Sequence, residues 1–306
     1  MNSIQYYLVD VFTDTKYGGN QLAVFVDYDN KVSDTEMLAI ARELNLAEIT
    51  FIKSNENDER FSVRIFTPEY EVPFAGHPSL GTAYIISKYL MKAPKKEITL
   101  ALQYADIQIQ LNNLDALESC QFKMKQAQPI FYKSYAHSEI AEALELDIEI
   151  FDTSKIIEEV TTGLPYIIVP IKNLEGINSI QLKVDSYEQF LLKNKLHKNN
   201  NPSGLSTSLF FVTEETINTT NTYHARMLLF EQGKITEDAA TGSANGCFLA
   251  YLLKHQSTSI KATVEQGFKM ARNSHIYLDG NSSEKGYNIY VSGQVVEVGF
   301  GQWKIS

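Results

Sequence analysis

At 306 residues, 44% of them apolar and 21% charged, the chain is long enough for two compact domains and far from the composition of a disordered polypeptide. Its formal net charge of −10, with no basic cluster beyond the short stretch 92–96, which reads as a solvated helix end, excludes a nucleic-acid partner that would need a basic stripe along the phosphates. The only cysteines, Cys120 and Cys247, are too few for a disulfide framework, and the apolar runs fall short of the ~20 residues that span a bilayer. Residues 1–12 show neither a basic head nor a small-residue cleavage site, so a cytoplasmic chain without membrane attachment is expected.

Residues 6–12 read as a buried strand, and Tyr17-Gly18-Gly19-Asn20 as the turn into a second apolar run at 22–26, so a β-hairpin is expected first. Ser33 with Glu36 three residues on has the form of a capping box, and Met37, Leu38, Ala41 and Leu44 recur at helical spacing, which predicts a helix to about Asn45. Strands are expected at 47–52 and 61–66. Pro73-Phe74-Ala75-Gly76-His77-Pro78-Ser79-Leu80-Gly81 reads as a turn punctuated by glycine and proline that feeds a helix over 82–90. Polar hairpins around 112–115, a helix at about 138–146, a strand at 166–169 and a polar loop at 199–204 follow.

The halves resemble each other. Arg64-Ile65-Phe66 precedes Gly76-His77 and an apolar helix, and Arg226-Met227-Leu228 precedes Gly242-Ser243 and the apolar run 247–253. Each runs from an Arg-led strand through an acidic loop and a small-residue turn into a hydrophobic helix, a pattern that duplication and chance recurrence of a common motif both explain.

The first N–H groups of a helix have no partner within it, and with the helix dipole they form a site for a carboxylate or phosphate. The turns at Gly76 and Gly242 could each supply one; glycines that only permit close helix packing are the structural alternative. No nucleotide-binding glycine motif occurs. Glu48 stands among Leu46, Ala47, Ile49 and Phe51, company that raises a carboxyl pKa towards what a general base needs, although strand alternation would equally turn it to solvent on the face it shares with Thr50. His77 in the first turn could shuttle a proton, orient a substrate or cap the helix, and Asp238 in the second acidic loop could orient a substrate amine, support His77 or cap the helix that follows. None of these residues belongs to a cluster with metal-ligand spacing, so no metal is expected.

Taken together, Gly18-Gly19-Asn20, Leu44-Asn45-Leu46-Ala47-Glu48-Ile49-Thr50-Phe51, Arg64-Ile65-Phe66-Thr67-Pro68, Pro73-Phe74-Ala75-Gly76-His77-Pro78, Thr162-Gly163-Leu164-Pro165-Tyr166 and Glu237-Asp238-Ala239-Ala240-Thr241-Gly242-Ser243-Ala244 resemble the PhzF-like isomerase family of phenazine biosynthesis. The resemblance implies an α+β, diaminopimelate-epimerase-like fold: two pseudo-symmetric domains, each a mixed β-sheet or barrel wrapped around a central helix, with the active site between them. The first domain is expected over 1–118 with Glu48 and the Gly76-His77 turn, and the second over 119–293 with Asp238 and the Gly242-Ser243 turn. Residues 294–306 read as strands able to return and complete the first. By the same resemblance Glu48 is the catalytic acid/base, with His77, Asp238, Ser243, Gly76, Gly242 and Asn20 around a small carboxylate substrate, no cofactor, and a homodimer as the assembly. Gln21 stands where the family usually has proline, and Leu228-Leu229-Phe230 where Phe-x-Pro is common.

The expected reaction is cofactor-independent proton transfer on a small cyclic amino or hydroxy acid of the dihydro-hydroxyanthranilate kind. Related epimerases and racemases use a cysteine at each helix start; here those turns carry Ala75-Gly76-His77 and Thr241-Gly242-Ser243, which argues against a two-thiol racemase. An epimerase pairing Glu48 with His77, and a small-acid-binding protein without chemistry, are the alternatives.

Overall fold

A computed structural model describes residues 2–306 except 57, 94, 104, 199–205 and 232, so the polar loop expected at 199–204 lies outside the described residues. The chain divides into one unit of Met1–Lys125 with Ser292–Ser306 and a second of Gln126–Val291.

In the first unit, β1 (Ser3–Val11) and β2 (Asn20–Val26) form the expected hairpin, with Val11 opposite Asn20. Gly19 makes the turn at φ +61°, where a Cβ would lie 2.3 Å from the Val11 carbonyl oxygen, so only glycine fits. Helix α1 (Asp34–Leu44) starts at Ser33, whose hydroxyl accepts the Glu36 N–H at 3.3 Å, while the Glu36 carboxylate takes the N–H of Ser306. Asn45, left-handed at φ 51°, ends α1 and turns the chain into β3 (Glu48–Glu56), which runs parallel to β2. Then β4 (Arg60–Phe66) and the short β5 (Glu71–Val72) pair antiparallel. Next comes α2 (Gly76–Ile85), continued by a π-helical turn at Ile86–Leu90; β6 (Glu97–Ala101) returns parallel to β4, and β7 (Asp106–Leu111) and β8 (Phe122–Lys125) follow antiparallel. Phe25, Phe51 and Phe66 pack under Met37 and Ile40 of α1, so one sheet face is closed by that helix.

All ten residues of α2 are buried, and β1, β2, β3, β6, β7 and β8 all touch it. A helix buried on every side is stable only in such surroundings, where Ser79 and Thr82 find hydrogen-bond partners and each fully buried Leu or Ile contributes about 1.5–3 kcal/mol. The helix begins at Gly76, not at Thr82 as the turn-like sequence suggests. Pro78 is its third residue, where the missing N–H is no loss and the fixed φ suits the helix, so Gly-His-Pro here opens a helix rather than breaking one.

The second unit contains β9 (Ile130–Tyr135), α3 (His137–Leu144), β10 (Ile157–Thr161), β11 (Pro165–Pro170), α4 (Leu174–Ser179), α5 (Val184–Lys193), β12 (Ser208–Thr213), β13 (Tyr223–Glu231), β14 (Lys234–Asp238), α6 (Gly242–His255), β15 (Ser259–Gln266) and β16 (Ser274–Ser283). Here β10, β11, β15 and β16 pack on the buried helix α6, and α3, α4 and α5 cover the other face through Ile140, Ile177, Tyr187 and Leu191. The chain then passes through β17 (Gly286–Gly293) to β18 (Val295–Lys304), antiparallel to β1 in the first unit. Among the described residues no helix is long and apolar enough to cross a membrane.

The two units repeat one topology in one register. Each has an antiparallel pair (β1–β2, β10–β11), a parallel neighbour (β3, β12), a hairpin (β4–β5, β13–β14), a buried helix, and a strand returning parallel to the hairpin's first strand (β6, β15). Ile65 faces Val72 as Met227 faces Asp238, and Ser62 faces Ala101 as His224 faces Glu265. The Arg64 guanidinium forks onto Glu71 at 2.8 and 2.6 Å; Arg226 forks onto Glu237 at 3.0 and 2.9 Å. Where the Thr50 and Thr82 hydroxyls meet at 2.8 Å in the first unit, the Phe210 and Phe248 rings meet with centroids 5.8 Å apart in the second. Chance recurrence of a strand–turn–helix would not reproduce register and side-chain partners together; duplication does. Both arginines lie inside their strands rather than leading them, and Glu237-Asp238 close β14 rather than sit in a loop, because pairing with β13 extends the ladder through Asp238.

Candidate active site

Glu48 is the first residue of β3, opposite Leu22 of β2. Alternation turns Ile49 and Phe51 into the core under α1 and leaves Glu48 and Thr50 on the other face. That face does not look to solvent, as the sequence allowed: α2 covers it, Thr50 is fully buried against Thr82, and the Glu48 side chain retains 21% exposure.

His77, the second residue of α2, is buried with its Nε2 3.5 Å from Glu48 Oε2 and its Nδ1 3.4 Å from the side-chain amide of Asn20, the first residue of β2. The first unit therefore brings together Asn20, Glu48, Gly76 and His77. Burial pushes the His77 imidazole down to about 3, against a backbone hydrogen bond with Gln21 that acts the other way. At neutral pH the ring is uncharged, so Glu48 and His77 are polar neighbours rather than an ion pair. The buried Nε2 makes no hydrogen bond to a described residue. The α2 N-cap, Ala75, offers no side-chain cap, so the helix start at Gly76 and His77 keeps its donor character.

The second unit assembles Asp238, Gly242 and Ser243. Thr241 is the N-cap of α6, yet its side chain does not cap the helix; its hydroxyl donates to Asp238 Oδ2 at 2.5 Å. Asp238 is thus not the cap that its spacing before the helix suggests. Gly242 and Ser243 open α6 as Gly76 and His77 open α2, and Ser243 Oγ lies 2.7 Å from the phenol oxygen of Tyr166 on β11. Thr241, Tyr166 and the buried Gln266, whose amide also reaches Thr241 Oγ1 at 2.9 Å, were not legible as site residues from local sequence. Thr241 stood within the motif at 237–244 and Tyr166 within that at 162–166, while Gln266 had no signal in the sequence.

Cys247 is the sixth residue of α6 rather than at its start, and burial pushes its thiol up to about 12; burial also raises the Cys120 thiol. Neither is available as a thiolate at neutral pH. Among the described residues no group of three or more His, Cys, Asp or Glu side chains is placed to hold a metal ion.

A family model described as phenazine biosynthesis-like protein matches residues 9–301. The chain belongs to that family. Trans-2,3-dihydro-3-hydroxyanthranilate isomerase of Pseudomonas aeruginosa is 28% identical to this phenazine biosynthesis-like protein, covering 89% of each chain. The crystal structure of a PhzF-family phenazine biosynthesis protein of Bacillus anthracis superposes with a TM-score of 0.86 over 100% of both chains at 24% identity. A hydroxyproline epimerase of Agrobacterium vitis shares the fold, with a TM-score of 0.62 at 10% identity over 98% of this chain and 92% of its own. This member of the family is an isomerase with the mixed α+β, diaminopimelate-epimerase-like fold.

Proposed function

We propose that the protein moves a proton within a small cyclic amino or hydroxy carboxylic acid of the dihydro-hydroxyanthranilate kind, without a cofactor, with Glu48 as both base and acid. The observation that carries this reading is the placement of Glu48 beside a buried, uncharged His77. An imidazolium at 3.5 Å would hold Glu48 as a paired carboxylate and weaken it as a base; a neutral ring does not. The Glu48 carboxylate takes a proton from a tetrahedral ring carbon, and the electron pair of the broken C–H bond enters the conjugated system. The resulting carboxylic acid returns the proton to a second ring carbon, so atoms and charge balance with no external partner. His77 Nε2 is at hand to share a hydrogen bond with Glu48 or with a substrate hydroxyl. Asn20, the N–H groups at Gly76, and in the second unit Asp238, Gly242 and Ser243 are assigned to binding the substrate's carboxylate, amine and hydroxyl groups.

The test follows carbon-bound hydrogen exchange in D₂O by NMR, using trans-2,3-dihydro-3-hydroxyanthranilate and a panel of small cyclic amino and hydroxy acids, for the wild-type chain and Glu48→Gln. Exchange with migration of the ring double bonds, reduced by about 10²–10⁴-fold in the variant, is the expected result. No exchange with any compound, or exchange that survives Glu48→Gln, overturns the reading; exchange with inversion at one carbon would make the protein an epimerase instead.

A further inference from the structure

The repeated topology supplies an internal control for side chains that serve function rather than fold. The shared register places Val72 where Asp238 stands, Ala75 where Thr241 stands and Leu102 where Gln266 stands. It is confirmed one turn further on, where Ser79 Oγ donates to the Ala75 carbonyl at 2.8 Å and Asn245 Nδ2 donates to the Thr241 carbonyl at 3.0 Å. The first unit thus builds the same hairpin, turn and helix with three apolar residues at the positions where the second carries a carboxylate, a hydroxyl and an amide.

Those three polar groups form one connected network. Gln266, fully buried at the end of β15, donates through Nε2 to the Asp238 carbonyl at 3.0 Å and to Thr241 Oγ1 at 2.9 Å. Its Oε1 accepts the Thr241 N–H at 3.3 Å and the Asn245 amide at 3.1 Å, so both donors and both lone pairs of the side chain are used. With one lone pair of Thr241 Oγ1 taken by Gln266, its proton points to Asp238 Oδ2. The intervening turn is pinned from the same side. Ser274 Oγ donates to the Ala239 carbonyl at 2.9 Å, and that carbonyl oxygen lies 2.5 Å from where a Cβ would stand on Gly267 (φ +77°), so no other residue admits it.

We infer that Gln266 and Thr241 are positioning residues for Asp238: Gln266 orients the Thr241 hydroxyl, and the hydroxyl holds the Asp238 carboxylate in one rotamer for the substrate. This rests on the reading that Asp238 binds substrate. A fold-stabilising role alone does not account for the network, since the first unit completes the same turn with Ala75 and Leu102.

The test compares Thr241→Val, which keeps shape and removes the hydroxyl, with Thr241→Ser, which keeps the hydroxyl. Thr241→Ala, the residue at the equivalent N-cap of α2, replaces the valine variant if that one fails to fold. Expected is a fall in kcat/KM of about 10- to 100-fold in Thr241→Val, recovery of most of it in Thr241→Ser, and thermal midpoints that do not track activity. Equal activity in the two variants, or losses in step with melting, overturns the proposal. If the wild-type chain turns over none of the compounds, the functional reading fails on its own. Crystal structures then decide the positioning claim: an Asp238 carboxylate rotated away in Thr241→Val alone supports it, and an unmoved carboxylate overturns it.

Discussion

Replacing Gly81 with alanine should damage catalysis far more than stability, because this glycine sets how closely α2 lies on the hairpin that carries Asn20. A Cβ at position 81 would sit 2.6 Å from Leu22 Cδ2, 2.9 Å from Val11 Cγ2 and 3.1 Å from Val9 Cγ2. Carbon atoms rest at about 3.5–4.0 Å, so α2 must withdraw from β1 and β2 by roughly 1 Å, or the three buried side chains must leave their rotamers. Overpacking of this kind costs about 1–3 kcal/mol, and the better helix propensity of alanine returns about 1, for a net loss of about 0–2 kcal/mol. The same displacement moves His77, four residues earlier on α2, relative to Asn20 and Glu48, whose side chains it meets at 3.4 and 3.5 Å. A misplacement of about 1 Å costs on the order of 10²-fold in rate. Urea unfolding and the deuterium-exchange assay, run together on Gly81→Ala, check both numbers. Wild-type exchange rates in the variant would refute the claim that the close approach of α2 fixes the geometry around Glu48.

Two further outcomes are expected. Because His77 is held down at about 3 in the folded chain against an ordinary 6.5, only the unfolded chain takes up this proton as pH falls through that window. The contribution of His77 is therefore fully present above pH 6.5 and is lost towards pH 3, by about 3 kcal/mol at pH 4 as an order of magnitude. Denaturation from pH 7 to 4 should show a shallower decline in His77→Gln than in wild type, and parallel declines would refute the buried neutral ring. The two arginine forks should also differ. Arg226→Met strips a pair with side chains only 6% and 14% exposed, together with the bonds to the Ile177 and Ile180 carbonyls, and should cost about 3–5 kcal/mol. Arg64→Met acts on a pair 26% and 27% exposed and should cost about 1 kcal/mol or less. Equal shifts in urea midpoint would show that burial does not separate them.

Much of this protein was legible locally. The Gly18-Gly19 hairpin, the Ser33 cap, the alternating strand at 61–66 and the apolar helix of the second half follow from backbone sterics and hydrophobic period, which act over a few residues. Local chemistry drew attention to Glu48, His77 and Asp238 but left a structural alternative for each, and only the resemblance of their motifs to a family's assigned them roles and added Asn20. Tertiary packing decided the rest. Whether Glu48 met solvent or a helix depended on α2 covering the Thr50 face, which no alternation in β3 can encode. Gly-His-Pro became a helix start because burial on all sides stabilised a segment of poor intrinsic propensity. Pairing with β13 drew Asp238 into a strand, and the Gln266 amide ties the Asp238 carbonyl to the Thr241 hydroxyl from a distant position, a hydrogen bond between residues far apart in sequence that leaves no local pattern. The sequence by itself determined which segments fold and where glycine alone fits; the tertiary structure decided which polar groups lose water and find one another, and with that the protonation state and orientation on which the chemistry depends.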